Sequence, residues 1–382
     1  MLLPGFRKET RMEKRSSILL VCLLLVPFPA VASNSTIFAM IGDFGTDTEK
    51  FEGRVAEMIY SWNPEFILTL GDNDYLGNWD METYDRAVGK YYCRFMYPTH
   101  GGRTRDWQDV ECASIAHPDG DTNFYPTPGN HDWSLIQEPD QQGWKGYQAY
   151  FEPLEGQTDY NSVGYYTFTR GGVNFYGLNS NCMCVQGDPP VGPPVSCDGT
   201  DKEDFIAWLN EQLAAPKSAG WNLIYFHHPL FNTGHHGDCD QMDFVWDLIL
   251  ANKRQNNTLV VAGHEHQYQR IMMAQEDSPN KVLFLIDGLS GGKRKMVWSA
   301  RCCTNTITPP PDGTLEQAYC YIRRKGALKI SVNDEAMDIE YYFQDTKSGP
   351  IQPVLLDRCQ LTKDGAPACE WVVEQGVQDC LE

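Results

Sequence analysis

The 382-residue chain has no C-x-x-C pair, no internal repeat and no excess of positive charge. Without a C-x-x-C step, its 13 cysteines have no seed for a finger-type zinc cluster, and structural bridges are the better reading. Lys and Arg number 31 against 51 Asp and Glu, a formal net charge of −20, which argues against nucleic acid as a partner. An anionic small substrate would need a local positive site, and metal ions can provide one. The apolar run Ile18–Val26 is nine residues long, about half of what a bilayer core requires, and Pro27 and Pro29 follow at once, so no stable membrane anchor is expected.

What is present fits a secreted or lumenal protein, whether extracellular, lysosomal or vacuolar. Arg7, Lys8, Arg11, Lys14 and Arg15 precede the apolar run, which leads into Ala30-Val31-Ala32. That order predicts a signal peptide over 1–32. Its removal takes Cys22 and leaves an even number of cysteines in a compartment that favours disulfides. The sequons Asn34-Ser35-Thr36 and Asn256-Asn257-Thr258 predict N-glycans on Asn34 and Asn256. Apolar residues at 42% and aromatics at 12% suffice for a large core, expected as one catalytic domain over 33–347. A cysteine-containing tail over 348–382 is expected as a small appendage.

Short runs rich in β-branched and aromatic residues read as buried strands: Thr36–Ile41, Phe66–Leu70, Leu223–Phe226, Leu259–Ala262 and Val282–Ile286. Helical patterns at Glu49–Trp62, Lys202–Leu213 and Met242–Ala251 alternate with them. This α/β order argues for a mostly parallel sheet. Leu328–Val332 and Met337–Phe343 read as a late hairpin through Asn333-Asp334. Residues 136–200, rich in Pro, Gly, Asp and Cys, read as long surface loops.

Metal-binding side chains stand just beyond these strands, where ligands gather in open α/β sheets. Asp43 follows the first strand and Asp72 the second, with Tyr75 beside it. Asn130 and His131 lie in Gly129-Asn130-His131-Asp132, His227 ends Ile224-Tyr225-Phe226, and His264 and His266 follow the strand at Leu259. Seven of the nine histidines fall in or beside these turns, leaving His100 and His117 elsewhere. Singly, each has a plainer reading: Gly-Asp is an ordinary turn, Asn130 a cap, Tyr75 half-buried core, and the His227-His228 and His235-His236 pairs surface loops. Their ordered recurrence after successive strands is hard to attribute to packing.

The chain resembles the purple acid phosphatases within the calcineurin-like metallophosphoesterases, most closely the small tartrate-resistant type. That family carries GDxG, GDxxY, GNH plus an acid, VxxH and GHxH. Here these stand as Gly42-Asp43-Phe44-Gly45, Gly71-Asp72-Asn73-Asp74-Tyr75, Gly129-Asn130-His131-Asp132, Ile224-Tyr225-Phe226-His227 and Gly263-His264-Glu265-His266. Only the Val departs, to Ile224, a volume-similar apolar change. The resemblance covers roughly Thr36 to Phe343 and implies a four-layer sandwich of two mixed β-sheets flanked by helices.

It further implies that Asp43, Asp72, Tyr75 and His266 hold one ion and Asp72, Asn130, His227 and His264 the other, with Asp72 bridging. Many metallophosphoesterases carry a histidine where this chain has Gly45, and Tyr75 takes the vacant place. A phenolate favours Fe(III), so the expectation is a ferric ion and a divalent partner, Fe, Zn or Mn. His131 and His236 match the positions that contact the phosphoryl group and protonate the leaving alkoxide, with His228 and His235 within reach of the second role. The implied reaction is hydrolysis of phosphate monoesters, on small molecules or phosphoproteins, by a metal-bound hydroxide at acidic pH. The rival readings are a phosphodiesterase on the same scaffold and a secreted iron-binding protein. The basic run Gly291-Gly292-Lys293-Arg294-Lys295 reads as a solvated loop or a substrate contact.

Overall fold

Two of the apolar runs form neighbouring strands of the first sheet: β1 (Thr36–Ile41) and β2 (Phe66–Leu70), parallel, with Phe38 opposite Phe66 and Ile41 opposite Thr69. They belong to a computed structural model that describes residues 35–78, 80–96, 122–133, 142–151, 164–184, 202–215, 219–292, 302–345, 349–363, 365–373 and 376–381. The expected leader, Asn34 and the run Lys293-Arg294-Lys295 lie outside the described residues.

The remaining strands are β3 (Phe124–Thr127), β4 (Tyr166–Arg170), β5 (Val173–Gly177), β6 (Trp221–Phe226), β7 (Thr258–Ala262), β8 (Tyr268–Gln275) and β9 (Lys281–Asp287). After them come β10 (Gly313–Tyr321), β11 (Gly326–Val332), β12 (Ala336–Gln344), β13 (Pro353–Thr362), β14 (Ala368–Trp371) and β15 (Val377–Asp379). They build two mixed sheets, ordered β14-β13-β12-β11-β1-β2-β3 and β15-β10-β8-β9-β7-β6-β5-β4. In the first, β1, β2 and β3 run parallel; in the second, β5, β6, β7 and β9 do. Helices accompany the sheets, among them Arg54–Ser61, Lys202–Ala214 and Phe244–Ala251.

The inner faces meet through aromatic rings. Phe38 stacks on Phe66 at 4.8 Å, and both set their edges against Phe175 of the other sheet, at 5.4 and 5.5 Å. Burying such side chains contributes about 1.5–3 kcal/mol each.

Two stretches differ from the expectation. Residues 136–200 are not loops throughout: their described parts include the helix Gln142–Phe151 and the strands β4 and β5, with β5 wholly buried between β4 and β6. The rings of Tyr147, Tyr150 and Phe151 pack inward, an i, i+3, i+4 stripe that outweighs the surrounding Pro and Gly. The C-terminal segment supplies β13 and β14 to the first sheet and β15 to the second. Arg270 of β8 pairs with Asp357 of β13 in the interior and lies 4.4 Å from the ring of Trp371.

Four disulfides are described, Cys184–Cys239, Cys302–Cys320, Cys303–Cys380 and Cys359–Cys369, a usage typical of oxidising compartments. No helix among the described residues is long and apolar enough to cross a membrane.

Candidate metal centre

Strand ends and strained backbone position the polar side chains. Asp43 and Asp72 follow β1 and β2 at φ of 54° and 55°, and His264 follows β7 at 70°. Left-handed backbone is uncommon for residues other than glycine, Asn and Asp, and such strain concentrates at functional sites. Here it turns three donors back over the ends of their strands.

The residues expected at the first ion share one cluster. The Tyr75 hydroxyl stands 2.7 Å from Asp72 Oδ2, 3.0 Å from Asp43 Oδ1 and 3.0 Å from His266 Nε2. Burial, followed by the charges of Asp43 and Asp72, pushes the Tyr75 hydroxyl well above the usual phenol range. A phenol has one proton and can satisfy only one of the two facing carboxylate oxygens at a time. A cation among the four donors would satisfy them all.

The residues expected at the second ion form an adjoining cluster with the same deficit. His227 Nδ1 faces the Leu70 carbonyl at 2.7 Å, so this nitrogen is the donor, and in the neutral imidazole Nε2 presents a lone pair. That lone pair faces Asn130 Oδ1 at 2.9 Å and Asp72 Oδ1 at 3.4 Å. His264 Nδ1 lies 3.1 Å from Asn130 Oδ1 and 3.2 Å from His227 Nε2. Burial first, then the neighbouring His228 and His236, holds His264 well below the ordinary imidazole range, a neutral ligand form. Asp72 belongs to both clusters. Burial pushes its carboxyl up, but positive charge on His227 and His131, when they carry a proton, and the hydrogen bonds from the Tyr75 hydroxyl and the His131 amide bring it below the usual carboxylate range. The donor chemistry therefore fits two cations sharing Asp72. Asp43, Asp72 and His227 also form one compact potential ligand group, with ligand atoms within 4.8 Å of one another.

Gly45 explains the absence of a histidine there. A Cβ at this position would fall 1.8 Å from the Asn73 carbonyl oxygen, while the Gly45 carbonyl accepts the Tyr75 amide at 2.7 Å. The two motifs are thus fused through backbone too close for any side chain. Gly129 meets a similar constraint, its hypothetical Cβ lying 2.3 Å from Asp72 Oδ1.

Of the expected proton-handling residues, His131 donates its amide to Asp72 Oδ1 at 2.9 Å and sets its ring 4.4 Å from that of Tyr75. His236 lies beside the second cluster, its ring 4.5 Å from His264. Its Nδ1 is 3.0 Å from Glu265 Oε1, which also accepts the His236 amide. His228 is buried, with Nδ1 and amide both on Ser180 Oγ at 2.9 Å, and could ligate with His227 and His264. His235 is exposed.

Several supporting roles escaped the sequence reading. Glu265, between two expected ligands, is fully buried and anchors His236; the alternation of a turn gave no sign of it. Asp132, also fully buried, accepts from the amides of Gly129, Asn73 and Asp74 at 2.8–3.2 Å and from the Tyr84 hydroxyl, tying the second motif to the third. Ser290 Oγ accepts the Gly42 amide at 3.2 Å and donates to Asp287, bracing the first motif. Only the acid of GNHD carried a sequence signal.

Purple acid phosphatase 15 of Arabidopsis thaliana is 22% identical over 298 residues, 75% of this chain and 52% of that protein. An uncharacterised protein of Mycobacterium tuberculosis is 25% identical over 169 residues, 43% of this chain and 30% of its own. The chain thus matches about a third to a half of the length of these relatives. Among solved structures, PhoD is similar at a TM-score of 0.49 and 13% identity, covering 92% of this chain and 73% of that one. The profile of the calcineurin-like phosphoesterases matches residues 36–268, a span that takes in all five motifs, and the chain belongs to that family.

Proposed function

We propose that the protein is a secreted or lumenal acid phosphatase that hydrolyses phosphate monoesters at an Fe(III)–divalent centre. The carrying observation is Tyr75, whose hydroxyl sits among Asp43, Asp72 and His266 where a hard phenolate donor suits a ferric ion. Asp43, Asp72, Tyr75 and His266 would hold the ferric ion, and Asp72, Asn130, His227 and His264 the divalent one, Fe, Zn or Mn. When bound, the two cations supply neutralisation of the phosphoryl charge and acidification of a water.

The chain's own residues do the rest. Asp72, held by the His131 amide and the Tyr75 hydroxyl, fixes the spacing of the two halves. His131 lies where its ring can contact a phosphoryl oxygen. His236 keeps a proton, since the Glu265 carboxylate raises its imidazole against the downward push of burial. With Nδ1 committed to Glu265, Nε2 is free to pass that proton to the departing alkoxide.

The test is metal analysis and a visible spectrum of the purified protein beside Tyr75→Phe. Iron with a phenolate-to-iron charge-transfer band that the variant lacks supports the reading; a colourless, iron-free but active protein sinks the ferric assignment. Faster turnover of diesters than of aryl monoesters would move the chain to the phosphodiesterases.

A further inference from the structure

The second sheet has two ends, and only one carries the metal centre. His227 and His264 follow the carboxyl ends of β6 and β7. At the amino ends of β6, β7 and β9 lies a cleft of about 590 Å³, roughly 20 Å away at the rise of a six-residue strand. Among the described residues its walls carry Lys253, Arg254 and Lys363 and no acidic side chain, in a chain of net charge −20. Among the described residues these three cations have no carboxylate partner.

The walls are fixed. Asn256 Nδ2 donates to Asn280 Oδ1 at 3.1 Å, Asn257 Nδ2 to the Gly220 carbonyl at 3.0 Å, and Gln255 Nε2 to Gln275 Oε1 at 3.0 Å. Arg254 gives Nε and Nη2 to the Leu213 carbonyl, which anchors its fork and leaves Nη1 for another acceptor. Lys363 directly follows the other sheet's β13 and lies over Gly220, where an added Cβ would be 3.0 Å from Nζ. Lys253 ends the helix Phe244–Ala251 in a Schellman turn, with Lys253 N on the Leu250 carbonyl and Arg254 N on that of Ile249. Its φ of 54° is the left-handed conformation for which glycine is preferred. A lysine is kept where glycine would be easier.

We propose that this cleft binds a small polyanion bearing two or more phosphate or sulfate groups, separately from the metal centre. Its volume falls in the range of small-molecule sites, and the three cations with the amide rim match the charge and hydrogen bonding of such oxyanions. The proposal requires a bare Asn256, whose side-chain nitrogen is committed to the rim, so it competes with the glycan expected there.

The experiment is calorimetric titration of the metal-loaded full chain with methylenebisphosphonate and with inositol hexasulfate, neither of which a phosphate monoesterase cleaves. Parent protein is compared with Lys253→Gly/Lys363→Gln. Glycine suits the left-handed position, so the double variant should melt no lower than the parent and turn over aryl phosphate unchanged. Loss of two exposed cations should weaken the cleft step about tenfold. Tighter binding of the bisphosphonate identifies a phosphorylated ligand, and tighter binding of the hexasulfate a sulfated one. Equal affinity of parent and variant for both probes overturns the proposal, as does a glycan on Asn256 by mass spectrometry of secreted protein.

Discussion

Asp43 illustrates how the site trades stability for chemistry. It is fully buried, its φ of 54° is left-handed, and its carboxylate shares a cluster with Asp72 and Tyr75. Asn tolerates that backbone and keeps most of the hydrogen bonds while removing a buried charge. Asp43→Asn should therefore melt higher than the parent when both are metal-free, and bind less iron when both are loaded. Calorimetry with metal analysis checks both, and a lower metal-free melting temperature would mean that the charge is already well compensated. Glu265 acts through His236 rather than on substrate, so it is a positioning residue. Outer partners of this kind are worth about 10–100-fold in activity. Glu265→Gln should lower kcat by that range with KM and metal content little changed; loss of metal would instead mark it as a support for His264 and His266.

At the scale of elements, β1, β2, β6, β7 and β9 were legible because their apolar runs are buried on both faces and end in Gly turns or, for β6, in His227-His228-Pro229. The donors were legible for the same reason: they sit directly after those strands. What stayed hidden depends on distant pairing. β5 reads as loop until β4 and β6 flank it, and Ser290 supports Gly42 across 248 residues. The fusion of Gly45 to the second motif is likewise invisible until the two loops touch. Gly45→Ala should destabilise by about 1–3 kcal/mol through overpacking against Asn73, and denaturant unfolding would show it. Near the turn into the helix Phe244–Ala251, burial first, then Asp240 and Asp243, raises Asp238 to about 7. In the unfolded chain it ionises near 3.8, the ordinary value of an aspartate. The folded state therefore holds the proton longer, and this group's contribution to stability falls as pH rises from about 4 to about 7. Melting temperatures should decline over that window in the parent and decline less in Asp238→Asn; equal slopes would assign the effect to other groups.

At the scale of the whole molecule, the C-terminal segment closes both sheets, which makes its removal more than the loss of an appendage. β13 pairs with β12 along nearly its whole length, from Pro353 opposite Gln344 to Thr362 opposite Ala336. Without it, β12 would become a long exposed edge, a template for intermolecular pairing. Asp357 would leave with it, stranding the buried Arg270 guanidinium, and breaking a buried pair by removing one partner costs about 3–5 kcal/mol. The Cys303–Cys380 bridge, spanning 77 residues, would go too, with about 4.5 kcal/mol in the loop-entropy account. Together these terms are comparable to the roughly 5–15 kcal/mol that holds a typical domain folded. A chain ending at Asp345 should therefore aggregate or fail to bind metal, although every expected metal ligand lies before that point. Asp357→Ala, which leaves β13 and the bridge in place, should fold with a lowered melting temperature and retain its metals. A soluble, metal-loaded truncation would show that the catalytic part folds without the closing strands.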